Sequence, residues 1–273
     1  MSAVPPAVEP AGFGDLMRHW RAVRRISQLD LASAVETTPR YVSFVETGRS
    51  QPSREMVLRL ALALDVPLRE RNGMLLAAGF APAYPMTPLG SDQLGRVEAA
   101  LTSMLSQHEP FPALVMDRGW TVLRSNLGAE RLLGLLFDGA PVPEPANVLR
   151  LFVEPGPVRG AVRNWPDVVR ALLDRARHEA VGGVFDRATA QLVQELRERP
   201  DVAALLASHA PGPPSVPVID VQLSVGGLDV GFFSVVSTIG TPVDVTAQEL
   251  RVEAFFPTDE ASRVTWLAAV TAT

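Results

Sequence analysis

Phe13, Leu16, Met17, Trp20 and Val23 recur at steps of three and four, the period of a helix with one buried face, and predict a helix over about 14–25. Ser27 stands where a second helix, 28–35, needs its cap, and Leu31, Ala32 and Val35 share its inner face. Thr38 followed by Pro39 reads as a cap and a first helical position, because proline lacks only an N–H that is unpaired there in any case. That third helix runs to about residue 47 and stops at Gly48, which takes the left-handed conformation at no steric cost. Ser53 opens a fourth helix with Met56, Leu60, Ala61 and Leu64 inward, and Pro67 opens a fifth that ends near Gly79. Five short helices with tight connections are therefore expected within 13–80, behind a tail at 1–12 expected to be disordered.

The pattern changes after residue 80. The segment APAYPMTPLG, 81–90, is proline-rich and reads as a semi-rigid linker. From 91 to 273 the periods alternate. Leu94, Val97, Leu101, Met104 and Leu105 make an amphipathic helix, and PALVMDRGWTVLRSN, 112–126, reads as two short strands about Asp117-Arg118-Gly119. Asn126 can cap a helix running to about 137, and further helical patterns cover 166–180, 185–197 and 201–209. Period-two alternation returns at 216–225, Gly226-Gly227 reads as a hairpin turn, and 228–238 and 248–257 give two more strands before a final helix. Two strands, several helices and three further strands predict an α+β domain built on one five-stranded antiparallel sheet, the strand count and split of a PAS-like sensor. The fold class expected is thus an all-α N-terminal helix-turn-helix domain followed by an α+β PAS-like domain at 91–273. Strand 228–238 is apolar on both faces (Val230, Phe232 and Val236; Phe233 and Val235), which suits helices on one side and a partner subunit or the final helix on the other. A homodimer is the assembly this implies.

Helices two and three are joined by Glu36 and Thr37 alone, so the second of the pair can enter a DNA major groove by its N-terminus. Val42 and Val45, three apart, must face the core. Pro39, Arg40, Ser43 and Phe44 are then left outward, and with Tyr41 they suit a flat anionic surface. Arg40 can donate two hydrogen bonds to guanine O6 and N7, while Phe44 can pack on thymine methyls. Gln28, Thr38, Arg49, Ser50 and Arg54 stand at helix starts or in the following loop, where N–H groups and cations meet phosphates.

Charge adds a modest argument. All 25 basic residues are Arg, and the net charge is −5. Residues 1–90 carry 10 Arg against 8 carboxylates, so a slightly basic head precedes an acidic body. The absence of Cys excludes disulfides and thiolate chemistry. No apolar run is long enough to span a membrane, and the first ten residues lack a signal peptide's pattern, so a cytoplasmic protein is expected.

SQLDLASAV together with TPRYVSFVETGRSQPSREMVLRLALALDVP resembles the XRE/Cro-type DNA-binding domain over 13–79. The resemblance implies that Gln28 binds phosphate and that Glu46 pairs with Arg21. Two positions depart from the pattern: Glu36 replaces the usual turn glycine, and Pro39 offers no hydrogen bond at a common base-reading position. Further on, PALVMDRGWTVLRSN, the Asn164-Trp165 pair and FFSVVSTIGTPVDVTAQELRVEAFFPTDE resemble the ligand-binding domain of MmyB-like transcription regulators. That resemblance implies a bacterial one-component regulator whose PAS-like domain takes a small apolar, fatty-acid-like or acyl ligand. Trp120, Phe152, Trp165, Val169, Phe233 and Phe255 are the bulky apolar groups expected on the sheet's helical side; each reads as core packing or as ligand contact. Arg124 or Arg251 could orient an acid head, or each could lie at the surface. The rival reading makes the body a ligand-free scaffold for dimerisation or for a protein partner.

Catalytic patterns are missing. His19, His108, His178 and His209 are scattered, no zinc-protease, nucleophile-elbow or phosphate-loop motif occurs, and no cofactor or metal is called for. Asp117 with Asp138, and Glu253 with Asp259, read as surface carboxylates. No enzyme is expected.

Overall fold

The computed structural model describes residues 12–181, 187–208 and 218–271. The chain divides into two units, the first drawn chiefly from the residues before Thr87 and the second chiefly from Thr87 onward. The tail expected to be disordered lies, but for Gly12, outside the described residues.

The head contains α1 (Phe13–Arg24), α2 (Gln28–Ala34), α3 (Pro39–Glu46), α4 (Arg54–Ala63) and α5 (Leu68–Ala77). Ser27, Thr38 and Ser53 each accept a backbone N–H of the first turn that follows, from Asp30, Tyr41 and Met56. Trp20, Met17, Leu31, Val42, Val57, Leu60 and Met74 are fully buried in one cluster. Val57 takes the central place expected of Met56, which is only half-buried.

The first and third helices touch through their backbones. A Cβ on Gly14 would lie 2.5 Å from the Glu46 carbonyl oxygen and 2.8 Å from that of Val45, so only glycine allows this approach. The same carbonyl of Glu46 accepts Arg18 Nη2 at 2.8 Å. The linker is partly anchored: Asn72 Oδ1 accepts the N–H groups of Ala83 and Tyr84 at 2.9 and 3.0 Å, and Asn72 Nδ2 donates to the Tyr84 carbonyl at 2.7 Å.

In the second unit a 3₁₀ turn (Asp92–Leu94) leads into α6 (Gly95–Gln107), then β1 (Ala113–Met116), β2 (Val122–Ser125) and α7 (Leu127–Phe137). The helices α8 (Val148–Val153), α9 (Pro157–Ala161), α10 (Trp165–Val181), α11 (Arg187–Glu198) and α12 (Pro200–Ser208) follow. The chain closes with β3 (Val221–Val225), β4 (Leu228–Thr238), α13 (Val245–Glu249), β5 (Arg251–Pro257) and α14 (Glu260–Thr271). The five strands form one antiparallel sheet in the order β2-β1-β5-β4-β3. Both hairpin glycines, Gly226 and Gly227, have positive φ, 56° and 83°, the geometry that a two-residue turn between twisted strands requires.

Three short helices, α8, α9 and α13, were not signalled by periodicity, because five or six residues span too few turns to show one. The strand expected at 216–225 begins only at Val221; residues 216 and 217, like His209 and most of the 181–183 glycine motif, lie outside the described residues. Asn164 braces the free edge of β3 where it begins: its Nδ2 donates to the Asp220 carbonyl at 2.8 Å and its Oδ1 accepts Gln222 N–H at 3.0 Å. Trp165, beside it, donates Nε1 to the Phe152 carbonyl at 2.8 Å.

The two faces of the sheet are covered differently. On the inner face Leu223, Val230 and Phe232 pack with helices α7, α9, α10 and α14, with Trp266 standing edge-on to Phe232 at 5.6 Å. On the outer face Leu101 and Leu105 of α6 cover Ala113, Val115 and Val252. The final helix therefore joins the inner layer.

Candidate functional site

The reading face of α3 is built by its own period. Val42 and Val45 are buried, Pro39 and Arg40 are exposed, and Tyr41, Ser43 and Phe44 are half-buried. Phe44 is not the bare outward ring that the sequence suggests. The guanidinium carbon of Arg40, one turn back, stands 5.1 Å from its ring centre, a stack worth about 0.5–1 kcal/mol at an exposed site. The stack holds the Arg40 side chain along the helix. Arg49 and Ser50 follow in a loop whose N–H groups both return to the Phe44 carbonyl, at 2.8 and 3.1 Å. Arg54 starts α4. Arg40, Arg49 and Arg54 form no ion pair among the described residues, which leaves three cations for an anionic partner.

Behind this face Glu46 is buried and accepts three side-chain hydrogen bonds: Arg21 Nε at 2.7 Å, Arg21 Nη2 at 3.4 Å and Gln28 Nε2 at 2.6 Å. The Arg21–Glu46 pair is thus formed as the resemblance implied. Gln28 already spends one amide N–H on Glu46, so a phosphate contact by this residue needs its second N–H or a turn of the side chain. Glu36, in the place of the usual turn glycine, adopts φ 54°. The turn is braced by Arg59 Nη2, which donates to the Val35 carbonyl at 2.5 Å and to Glu36 Oε2 at 3.3 Å.

In the second unit the apolar candidates separate by strand alternation. Trp120, Phe152, Trp165 and Val169 meet in one inner cluster, and Phe255 joins the neighbouring one, which also shares Phe152 and Trp165. Phe233 is a correction. It pairs with Phe256 across the sheet and stacks on it at 5.7 Å on the outer face, because Phe232 takes the inward position beside it. Val235 and Phe256, 47% and 37% exposed, extend that outer strip. Arg124 is likewise outward: it stands opposite Val115 and donates to Glu98 of α6 at 2.9 Å. That bond, with the N–H of Gly90, holds the Glu98 carboxyl below its ordinary pKa.

The inner layer also contains charges. Arg251 pairs with Glu179 of α10, Glu179 accepts Arg175 Nε at 3.2 Å, and Arg175 Nη1 reaches Glu253 Oε1 at 3.3 Å. The Arg175 guanidinium lies over Trp120, 4.6 Å from its ring centre. Glu253 is only 4% exposed, so reading it as a surface carboxylate is wrong; Asp259, its imagined partner, instead caps α14 by accepting Ser262 N–H at 2.7 Å. Trp120 is fully buried and has φ 65°, a left-handed conformation that a bulky side chain seldom takes. Composition hid Glu253, but alternation along β5 did signal it: Arg251, Glu253 and Phe255 share one face.

A helix-turn-helix whose third helix exposes Arg40 with Arg49 and Arg54 following it, ahead of an α+β domain whose inner layer mixes aromatics and paired charges, is the build of a DNA-binding regulator with a ligand-binding domain. Residues 97–266 match the MmyB-like transcription regulator ligand binding domain, and residues 18–71 match a helix-turn-helix family. The first match covers more than half of the chain, which belongs to the MmyB-like regulator family. A search of curated proteins finds no match. The protein is therefore a DNA-binding transcription regulator with a ligand-binding domain. No helix among the described residues is long and apolar enough to cross a membrane.

Proposed function

We propose that this chain is a cytoplasmic one-component regulator whose α3 reads operator DNA as part of a homodimer. A small apolar, acyl-type ligand in the inner layer of the second unit shifts its DNA affinity. The observation that carries the DNA reading is the Arg40–Phe44 face, with Arg49 and Arg54 beside it and no internal carboxylate spent on any of the three. In this reading Thr38, Pro39, Tyr41, Ser43 and Ser50 line the same contact, and Gln28 reaches a phosphate. Trp120, Phe152, Trp165, Val169 and Phe255 line the ligand's apolar part. Phe233 does not, and with Val235 and Phe256 it supports a subunit contact instead. The ligand must bind one arrangement of the dimer better than another, since equal affinity shifts nothing.

The outer strip also favours a second reading, in which the body is a ligand-free dimerisation or docking scaffold. Fluorescence anisotropy on DNA from the gene's own upstream region, with and without acyl compounds of graded length, charged and neutral, separates the two. A ligand-dependent change in operator affinity is expected. Tight, specific binding that no member of the series alters would leave the scaffold standing.

A further inference from the structure

Three buried polar atoms, on three side chains, have no hydrogen-bond partner among the described residues: Arg175 Nη2, Glu253 Oε2 and Trp120 Nε1. Their parent groups touch directly, with Arg175 stacked on Trp120 and bonded to the other oxygen of Glu253. Buried polar groups are nearly always satisfied, so an orphaned trio in one place asks for an occupant. The left-handed backbone at Trp120 strengthens the point, since strained residues gather at ligand clamps.

The chemistry of the trio is specific. Two of the groups donate and one accepts. The surrounding charges, Arg175 and Arg251 against Glu179 and Glu253, cancel, so the site has no net positive charge to offer an anion. A free carboxylate would satisfy the donors but would set its charge against the carboxylate of Glu253. A carbonyl oxygen that takes both donors, on a carbon bearing an N–H that faces Glu253 Oε2, satisfies all three. Leu172, Phe152 and Trp165 border both inner clusters and give the remainder of the molecule apolar surroundings. We infer that the regulator's ligand ends in a neutral group that both accepts and donates, a primary amide or its equivalent, seated between Trp120, Arg175 and Glu253. This rests on the sensor reading proposed above and narrows its ligand class away from free fatty acids.

The full-length protein is titrated calorimetrically with octanamide and with octanoate, as wild type and as Glu253→Gln, with operator anisotropy measured alongside. The wild type is expected to bind the amide at least about tenfold more tightly than the carboxylate. The substitution keeps the shape but removes the charge, and should shrink that ratio to about threefold or invert it. Should Glu253→Gln fail to fold, the wild-type ratio alone decides. Equal or tighter binding of octanoate by the wild type overturns the inference and leaves the sensor reading intact. A ratio indifferent to the substitution also overturns it, since a buried water would then fill the site. Binding of neither probe, with operator affinity unmoved by both, overturns the sensor reading and the inference together.

Discussion

Arg40 and Arg54 are both exposed arginines, yet they should behave differently when removed. Arg40 is held along α3 by its stack on Phe44 and Arg54 opens the next helix, so in the proposed DNA complex the first meets a base edge and the second a phosphate. Arg40→Ala is expected to cost about 1–3 kcal/mol on the operator and to relax specificity at one base pair. Arg54→Ala should weaken all sequences alike and lower the salt slope by about one. Competition binding against single-base operator variants tests this, and uniform loss in both variants would remove Arg40 from the base edge. At this scale the sequence was most legible where spacing forces a choice, as with Val42 and Val45 inward and Arg40 outward. It misled where residue type was trusted over spacing: Glu253 looked like a solvent group, and Phe44 looked bare because the arginine covering it is one turn away.

Among the elements, capped helices were the easiest to foresee, because a side-chain oxygen that accepts a first-turn N–H leaves a recognisable residue at a recognisable place. The Asn126 cap of α7 belongs to the same class. Helices α8, α9 and α13 were invisible, since five or six residues are too short to display a period. The α2–α3 turn is the element where sequence and geometry pull apart. Glu36 occupies the left-handed region that costs a side-chain-bearing residue about 1–2 kcal/mol, and the ion pair it gains with Arg59 is largely exposed and worth little. Glu36→Gly is therefore expected to stabilise the head by about 1 kcal/mol, after allowing for glycine's greater freedom in the unfolded chain. Native-state hydrogen exchange should show about fivefold greater protection for the amides of α2 and α3, and unchanged or weaker protection would contradict the argument.

Across the whole molecule, the number of strands and their division around the helices could be read from the chain, but their order could not. Placing β5 between β1 and β4 joins segments more than a hundred residues apart, and no local pattern encodes that partnership. The outward turn of Phe233 follows from the same register. If the strip of Phe233, Val235 and Phe256 is the subunit contact, Val235→Asp would bury an unpaired charge there, and the dimer should dissociate at least about tenfold more readily. Sedimentation equilibrium at micromolar concentration reads this directly. A wild type that sediments as a monomer would end the proposal, and a variant as dimeric as the wild type would move the contact elsewhere.

The bare backbone approach at Gly14 and the two arginines that hold Glu46 make α1 and α3 a single solid piece, with no soft joint in between. A signal from the proposed sensor then has no joint between α1 and α3 to bend. In the proposed homodimer, what it can change is the distance and angle between one head and its twin, which on DNA is a matter of spacing. The same ligand would act as a release on an operator whose half-sites stand at one separation and as a lock on another, so that the sign of regulation would be written in the spacer of each promoter.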